Sequence, residues 1–156
     1  MTVHKWRMAV GSDAAGYDYK QAIALDLAAD ERVASVTDFG VGDGEPTPYP
    51  HIGLDVAEAV ARGEFDRAVL VCGTGIGMAI SANKVPGVYA TAVSDSYSCE
   101  RSVRSNDCRV LTLGQRVIGL ELARRLVAEW LGYEFDPASE SGAKVDVIQA
   151  YEEGRA

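Results

Sequence analysis

Val69-Leu-Val-Cys-Gly-Thr-Gly-Ile-Gly-Met-Ala-Ile-Ser-Ala-Asn-Lys84 is the stretch on which the reading of this chain turns. Val69, Leu70 and Val71 form a short apolar, β-branched run that reads as the end of a buried strand. Gly73, Gly75 and Gly77 then allow a tight turn whose amide N–H groups are free to face a ligand. Met78 to Asn83 reads as a helix opening directly from that loop. Its N-terminus brings unpaired N–H groups and a partial positive charge, which favours an anion bound at that end. Cys72 stands at the strand end beside this bowl, the setting in which a thiol is made reactive. The pattern is not a dinucleotide fingerprint, which needs a glycine where Met78 stands, and no Gly-Lys-Ser/Thr follows to make a P-loop.

Outward from this stretch, strands alternate with helices. Arg7 to Gly11, Val33 to Phe39, Arg67 to Val71, Gly87 to Val93 and Arg109 to Leu113 read as strands. Helices are expected after the first strand (Ala22 to Ala28), at Ile52 to Arg62, Ser96 to Arg104 and Leu120 to Leu131, and in the tail from about Ala143 to Glu153. Gly40 to Pro50, with three glycines and three prolines, reads as a loop. Such alternation gives an α/β fold: a five-stranded parallel sheet with helices on both faces, in one domain over residues 1–156. Ligands of such sheets bind beyond the carboxyl ends of the strands. Asp13, Cys72 to Gly77 and Ser94-Asp95 occupy those ends.

The chain has 156 residues, 47% of them hydrophobic and 24% charged, the make-up of an ordinary globule with a full core. Acidic residues outnumber basic ones by 23 to 15, and a net charge of −8 argues against nucleic acid and anionic membranes as partners. Three cysteines without a Cys-x-x-Cys pair favour free thiols in a reducing compartment. Met1 to Arg7 is short and polar, with no signal peptide expected, so the cytoplasm is the expected location.

Val10-Gly-Ser-Asp-Ala-Ala-Gly16, Tyr49-Pro50, Cys72-Gly-Thr-Gly-Ile-Gly77, Ser81-Ala-Asn-Lys-Val-Pro-Gly87, Ser105-Asn-Asp107 and Leu113-Gly-Gln-Arg-Val-Ile-Gly119 occur in one order. In that order the chain resembles ribose-5-phosphate isomerase type B, of the superfamily that includes galactose-6-phosphate isomerase. The resemblance covers nearly the whole chain. It implies a Rossmann-like three-layer sandwich and a metal-independent, cofactor-free aldose–ketose isomerase of sugar phosphates. It further implies that Cys72 moves the proton between C1 and C2, with Thr74 hydrogen-bonding the substrate or helping to pass a proton between the two oxygens. Asp13, Tyr49, Gly73, Gly75, Ile76, Gly77 and Asn106 are then the substrate-binding residues. The active site is expected between two subunits of a homodimer or homotetramer, with residues 136–156 as the arm that crosses.

The departures from the family pattern bear on the substrate. Asp-His-Ala-Gly has become Asp13-Ala-Ala-Gly16, and His-Asn has become Ser105-Asn106, which removes the histidine expected to open a furanose ring. The carboxy-terminal arginine cluster is replaced by Ser139-Glu-Ser-Gly-Ala-Lys144, where Lys144 alone keeps a cation for phosphate. His4 and His51, the remaining histidines, read as surface or structural residues. A tetrose 4-phosphate cannot close a furanose, because O4 is esterified, so its isomerase needs the enediolate machinery but no ring opener. The chain accordingly resembles the branch that interconverts D-erythrulose 4-phosphate and D-erythrose 4-phosphate. Ribose 5-phosphate is the alternative substrate. A non-catalytic sugar-phosphate binder, or a thiol sensor with Cys99 or Cys108 as the resolving cysteine, is the alternative class.

Overall fold

The computed structural model describes residues 3–155; Met1 and Thr2, the start of the segment expected to carry no signal peptide, lie outside them, as does Ala156. Five strands, β1 (Trp6–Ser12), β2 (Val33–Asp38), β3 (Arg67–Cys72), β4 (Ala90–Ala92) and β5 (Val110–Gly114), form one parallel sheet in the order β2-β1-β3-β5-β4. Six helices connect or follow them: α1 (Tyr17–Ala29), α2 (Tyr49–Ala61), α3 (Ile76–Asn83), α4 (Ser96–Arg104), α5 (Leu120–Trp130) and α6 (Glu140–Glu152).

The pleat sends alternate side chains to opposite faces. Met8, Val10, Val69, Val71, Leu111 and Leu113 pack under α1, α4 and α5, with Ile23, Leu27, Cys99, Val103, Leu126 and Trp130. Ala9, Ala68, Leu70, Cys72 and Val110 face α2 and α3, against Ile52, Val56, Val60, Met78 and Ala82. All six residues of β3 are buried, as expected of a central parallel strand covered on both sides. This is the parallel sheet with helices on both faces expected from the alternation of elements, and the three-layer Rossmann-like arrangement that the resemblance implied.

Several boundaries differ from the sequence reading. The fourth strand shrinks to Ala90–Ala92, an edge strand paired only with β5. The Asn83 side chain brackets its outer side, Nδ2 donating to Ala90 O at 2.7 Å and Oδ1 accepting from Ala90 N at 2.8 Å. Helix α2 begins at Tyr49, inside the stretch expected to be loop, with Pro50 in its first turn, where a missing N–H costs nothing. Helix α3 begins at Ile76 because Gly75, at φ +80°, turns the chain and its carbonyl accepts the first helical bond from Ala79 N at 3.1 Å. The last helix starts at Glu140, preceded by the extended Ser139. Gly142 and Val145 of α6 are buried, whereas Val147, Ile148 and Tyr151 are exposed, Tyr151 to 79%. No described helix is long and apolar enough to cross a membrane.

Candidate active site

From β1 the chain crosses to β2 on one side and then to β3 on the other, so the connections diverge at the carboxyl ends of β1 and β3. A crevice forms at such a switch point. Here it is a cleft of about 400 Å³ lined by Asp13, Ala15, Tyr49, Cys72, Gly73, Thr74, Ile76, Gly77, Ile80 and Arg116. The sulfur of Cys72 sits at its floor: the residue is 4% exposed, and Sγ accepts a hydrogen bond from Gly75 N at 3.1 Å. An N–H aimed at sulfur favours negative charge there. Ile76 N donates to Thr74 Oγ1 at 3.2 Å, so the Thr74 hydroxyl stands at the mouth of α3.

The bowl is held from behind by the loop after β5. Gln115 N donates to Cys72 O at 2.9 Å and Arg116 N to Gly73 O at 3.0 Å. Two close approaches demand glycine. A Cβ on Gly114 would lie 2.7 Å from the Thr74 carbonyl, and one on Gly75 3.0 Å from the backbone of Leu113. Tyr49 arrives on the first turn of α2 with its ring against Gly77. The loop leading to it is fixed at its root by the buried Lys20, whose Nζ donates to Asp38 Oδ2 at 2.9 Å and Val41 O at 2.7 Å. Asp13 does two things at once: it lines the cleft, and its Oδ1 caps the 3-10 turn before α1, accepting from Gly16 N at 3.1 Å.

Of the residues singled out in the sequence, Asp13, Tyr49, Cys72, Gly73, Thr74, Ile76 and Gly77 thus share one cleft, with Gly75 buried just behind it. Asn106 and Lys144 do not line it. Asn106 lies in a second groove of about 500 Å³, between β4 and α4, with Arg101, Ser98 and Ile148. Lys144 is exposed on α6. Asp95 caps α4 through Ser98 N at 2.7 Å and belongs to that end of the sheet. Its carboxyl is held below the usual range by that backbone amide. His4 is exposed and stacks edge-on to Trp6, and His51 is exposed on α2; neither lines the cleft.

Arg116 was not picked out from sequence. Its signal lay in the motif Leu113 to Gly119, two residues past a strand end adjacent to β3 in the sheet. It is the cation that lines the cleft, its guanidinium lying against Gly73. The other two cysteines are unlike Cys72. Burial pushes both the Cys99 and the Cys108 thiols up to about 12, with Glu129 and Asp107 respectively adding to the effect. Neither lines the cleft, and all three cysteines are free.

Known proteins show the same fold and a related sequence. A family model described as Ribose/Galactose Isomerase matches residues 8–148. The chain is 58% identical to D-erythrulose-4-phosphate isomerase 2 of Mycolicibacterium smegmatis over 147 residues, covering 94% of this chain and 97% of that one. It is 43% identical to ribose-5-P isomerase B of Listeria innocua, over 92% of this chain and 95% of the relative. The solved ribose-5-phosphate isomerase B of Clostridium thermocellum superposes with a TM-score of 0.89 at 42% identity, covering 96% of this chain and 99% of that one. A parallel sheet with a cysteine in a glycine bowl at its switch point, matched from β1 to α6, leaves one assignment: the chain belongs to the ribose/galactose isomerase family.

Proposed function

We propose that the protein interconverts D-erythrulose 4-phosphate and D-erythrose 4-phosphate through an enediolate. The observation that carries the chemistry is Cys72 at the cleft floor, with an amide on its sulfur and a helix N-terminus beside it. The Cys72 thiolate takes a proton from C1 of the ketose. The C1–H pair becomes the C1=C2 bond, and the carbonyl pair moves onto O2. The amides of the bowl and the mouth of α3 stabilise that charge, commonly the largest catalytic contribution. Thr74 passes the O1 proton to O2, and Cys72 returns its proton to C2. Arg116 supplies a cation for the phosphate at the rim.

The substrate follows from what the cleft lacks together with the relatives' names. Neither histidine lines the cleft, and the position before Asn106 is Ser105, so no histidine for ring opening accompanies the thiol. An acyclic tetrose phosphate needs none, and the relative at 58% identity carries that activity in its name. We assign Asn106 and Lys144 to the site of a second copy of the chain, in a homodimer or larger assembly in the cytoplasm. The exposed apolar face of α6, with Val147, Ile148 and Tyr151, supports such a contact. The thiol-sensor reading loses support, because Cys99 and Cys108 are buried away from the cleft.

The test is a panel of tetrose, pentose and hexose phosphates assayed with wild type and Cys72→Ser. Erythrulose 4-phosphate should be turned over about 10²–10⁴-fold better than ribose 5-phosphate, the worth of general acid–base help. Cys72→Ser should fold normally and be inactive on every sugar. Equal turnover of the tetrose and the pentose refutes the substrate assignment; an active Ser variant refutes the base.

A further inference from the structure

Thr112 lies in the middle of β5, fully buried. It is flanked on its face of the strand by Val110 and pairs across the sheet with Leu70 and Ala92. A hydroxyl in such apolar surroundings is costly unless it is bonded. Its Oγ1 donates to Gly75 O at 2.7 Å. That carbonyl already accepts from Ala79 N at 3.1 Å, so the threonine is not needed to satisfy it. What the second donor adds is orientation. It fixes the carbonyl of the glycine that, at φ +80°, turns the bowl into α3 and whose own N–H meets Cys72 Sγ at 3.1 Å.

We propose that Thr112 is a positioning residue for the reaction, acting through Gly75 on the amides that face the thiol and the developing enediolate charge. The peptide between Gly75 and Ile76 has its carbonyl pinned by Thr112 and presents its N–H on the cleft side, at Thr74 Oγ1. Preorganised donors stabilise a transition state because they need no reorientation when charge appears. Without the pin, the turn at Gly75 is held from its carbonyl side only by the first helical bond of α3. The inference rests on the reading of Cys72 and the bowl as an enediolate site.

Thr112→Val keeps the shape and removes the hydroxyl; Thr112→Ser keeps the hydroxyl and removes a methyl. Both are assayed with erythrulose 4-phosphate and with a four-carbon phosphorylated hydroxamate, a planar mimic of the enediolate. Thr112→Val should lower kcat about ten-fold, less than the 10²–10³-fold of removing an oxyanion donor outright, and leave KM within about two-fold. Its inhibition constant for the hydroxamate should rise by the same factor as kcat/KM falls, the mark of a lost transition-state interaction. Thr112→Ser should hold kcat near wild type. A merely structural threonine would give a lower Tm in both variants with kcat and the hydroxamate constant unchanged, and that result overturns the proposal. So does a Ser variant that loses as much kcat as the Val variant. A wild type without isomerase activity, or with activity that survives Cys72→Ser, would instead overturn the reading of the site.

Discussion

Gly114→Ala is the sharpest perturbation of the bowl that leaves every polar group in place. Gly114 closes β5 and pairs with Cys72 across the sheet. A Cβ there would stand 2.7 Å from the Thr74 carbonyl atoms and 2.8 Å from its Cα, where ordinary contact begins at 3.4 Å. The shortfall, 3.4 less 2.7, is about 0.7 Å. The opposing atoms are backbone, so no rotamer change relieves it; either β5 withdraws or the Cys72–Gly75 turn moves outward. Overpacking of this kind costs about 1–3 kcal/mol. For a chain of this length, each kcal/mol lowers Tm by about 2–4 °C, which predicts a fall of about 2–12 °C. Displacing aligned donors by something near 1 Å costs up to about 10²-fold in rate, so kcat should drop by ten- to a hundred-fold. Thermal melts and initial rates on erythrulose 4-phosphate measure the two effects together. Gly119→Ala is the control, since a Cβ there meets nothing within 4 Å. A Gly114→Ala protein with wild-type Tm and kcat, or a control that loses as much, would refute the reasoning.

Two further outcomes are expected. Arg116→Gln should raise KM for the phosphorylated ketose by about ten-fold or more, as a charged hydrogen bond is worth about 1.5–3 kcal/mol, and alter KM far less for unphosphorylated erythrulose. Equal effects on both sugars would remove the phosphate from its role. Co-expressed Cys72→Ser and Asn106→Ala subunits should regain activity that neither has alone, because one composite site of the mixed dimer then carries both native residues. Failure to regain it, with mixed dimers shown to form, would place Asn106 outside the site.

How much of this was legible beforehand differs by element. Val69 to Lys84 displayed strand, thiol, turn and helix in order, because each is dictated locally: a β-branched run, glycines that accept a turn, and a helix opening from them, although it starts at Ile76, one residue past Gly75, and not at the expected Met78. The same local logic located Ser96–Arg104 to the residue, since Asp95 caps it from the next position in the chain. The shortened β4 was not legible, because its length is set by pairing with β5 alone and by the distant Asn83 that closes its outer edge. Nor was the start of α2 at Tyr49 inside a proline-rich loop: its prolines read as breakers, whereas Pro48 caps the helix and Pro50 sits in its first turn.

The sequence by itself determined the alternation of strands and helices, the buried apolar run of the third strand, and the order of thiol, glycine turn and helix that follows it. These depend on neighbours two to four residues apart. Only the tertiary structure decided which strand ends meet. The order β2-β1-β3-β5-β4 brings Asp13, Tyr49, Cys72 and Arg116 into one cleft while carrying Asn106 to another groove. It also set Thr112 beneath Gly75, thirty-seven positions away in the chain. Strand order is chosen by the burial of whole helices against whole faces of the sheet. No stretch of sequence carries that information alone.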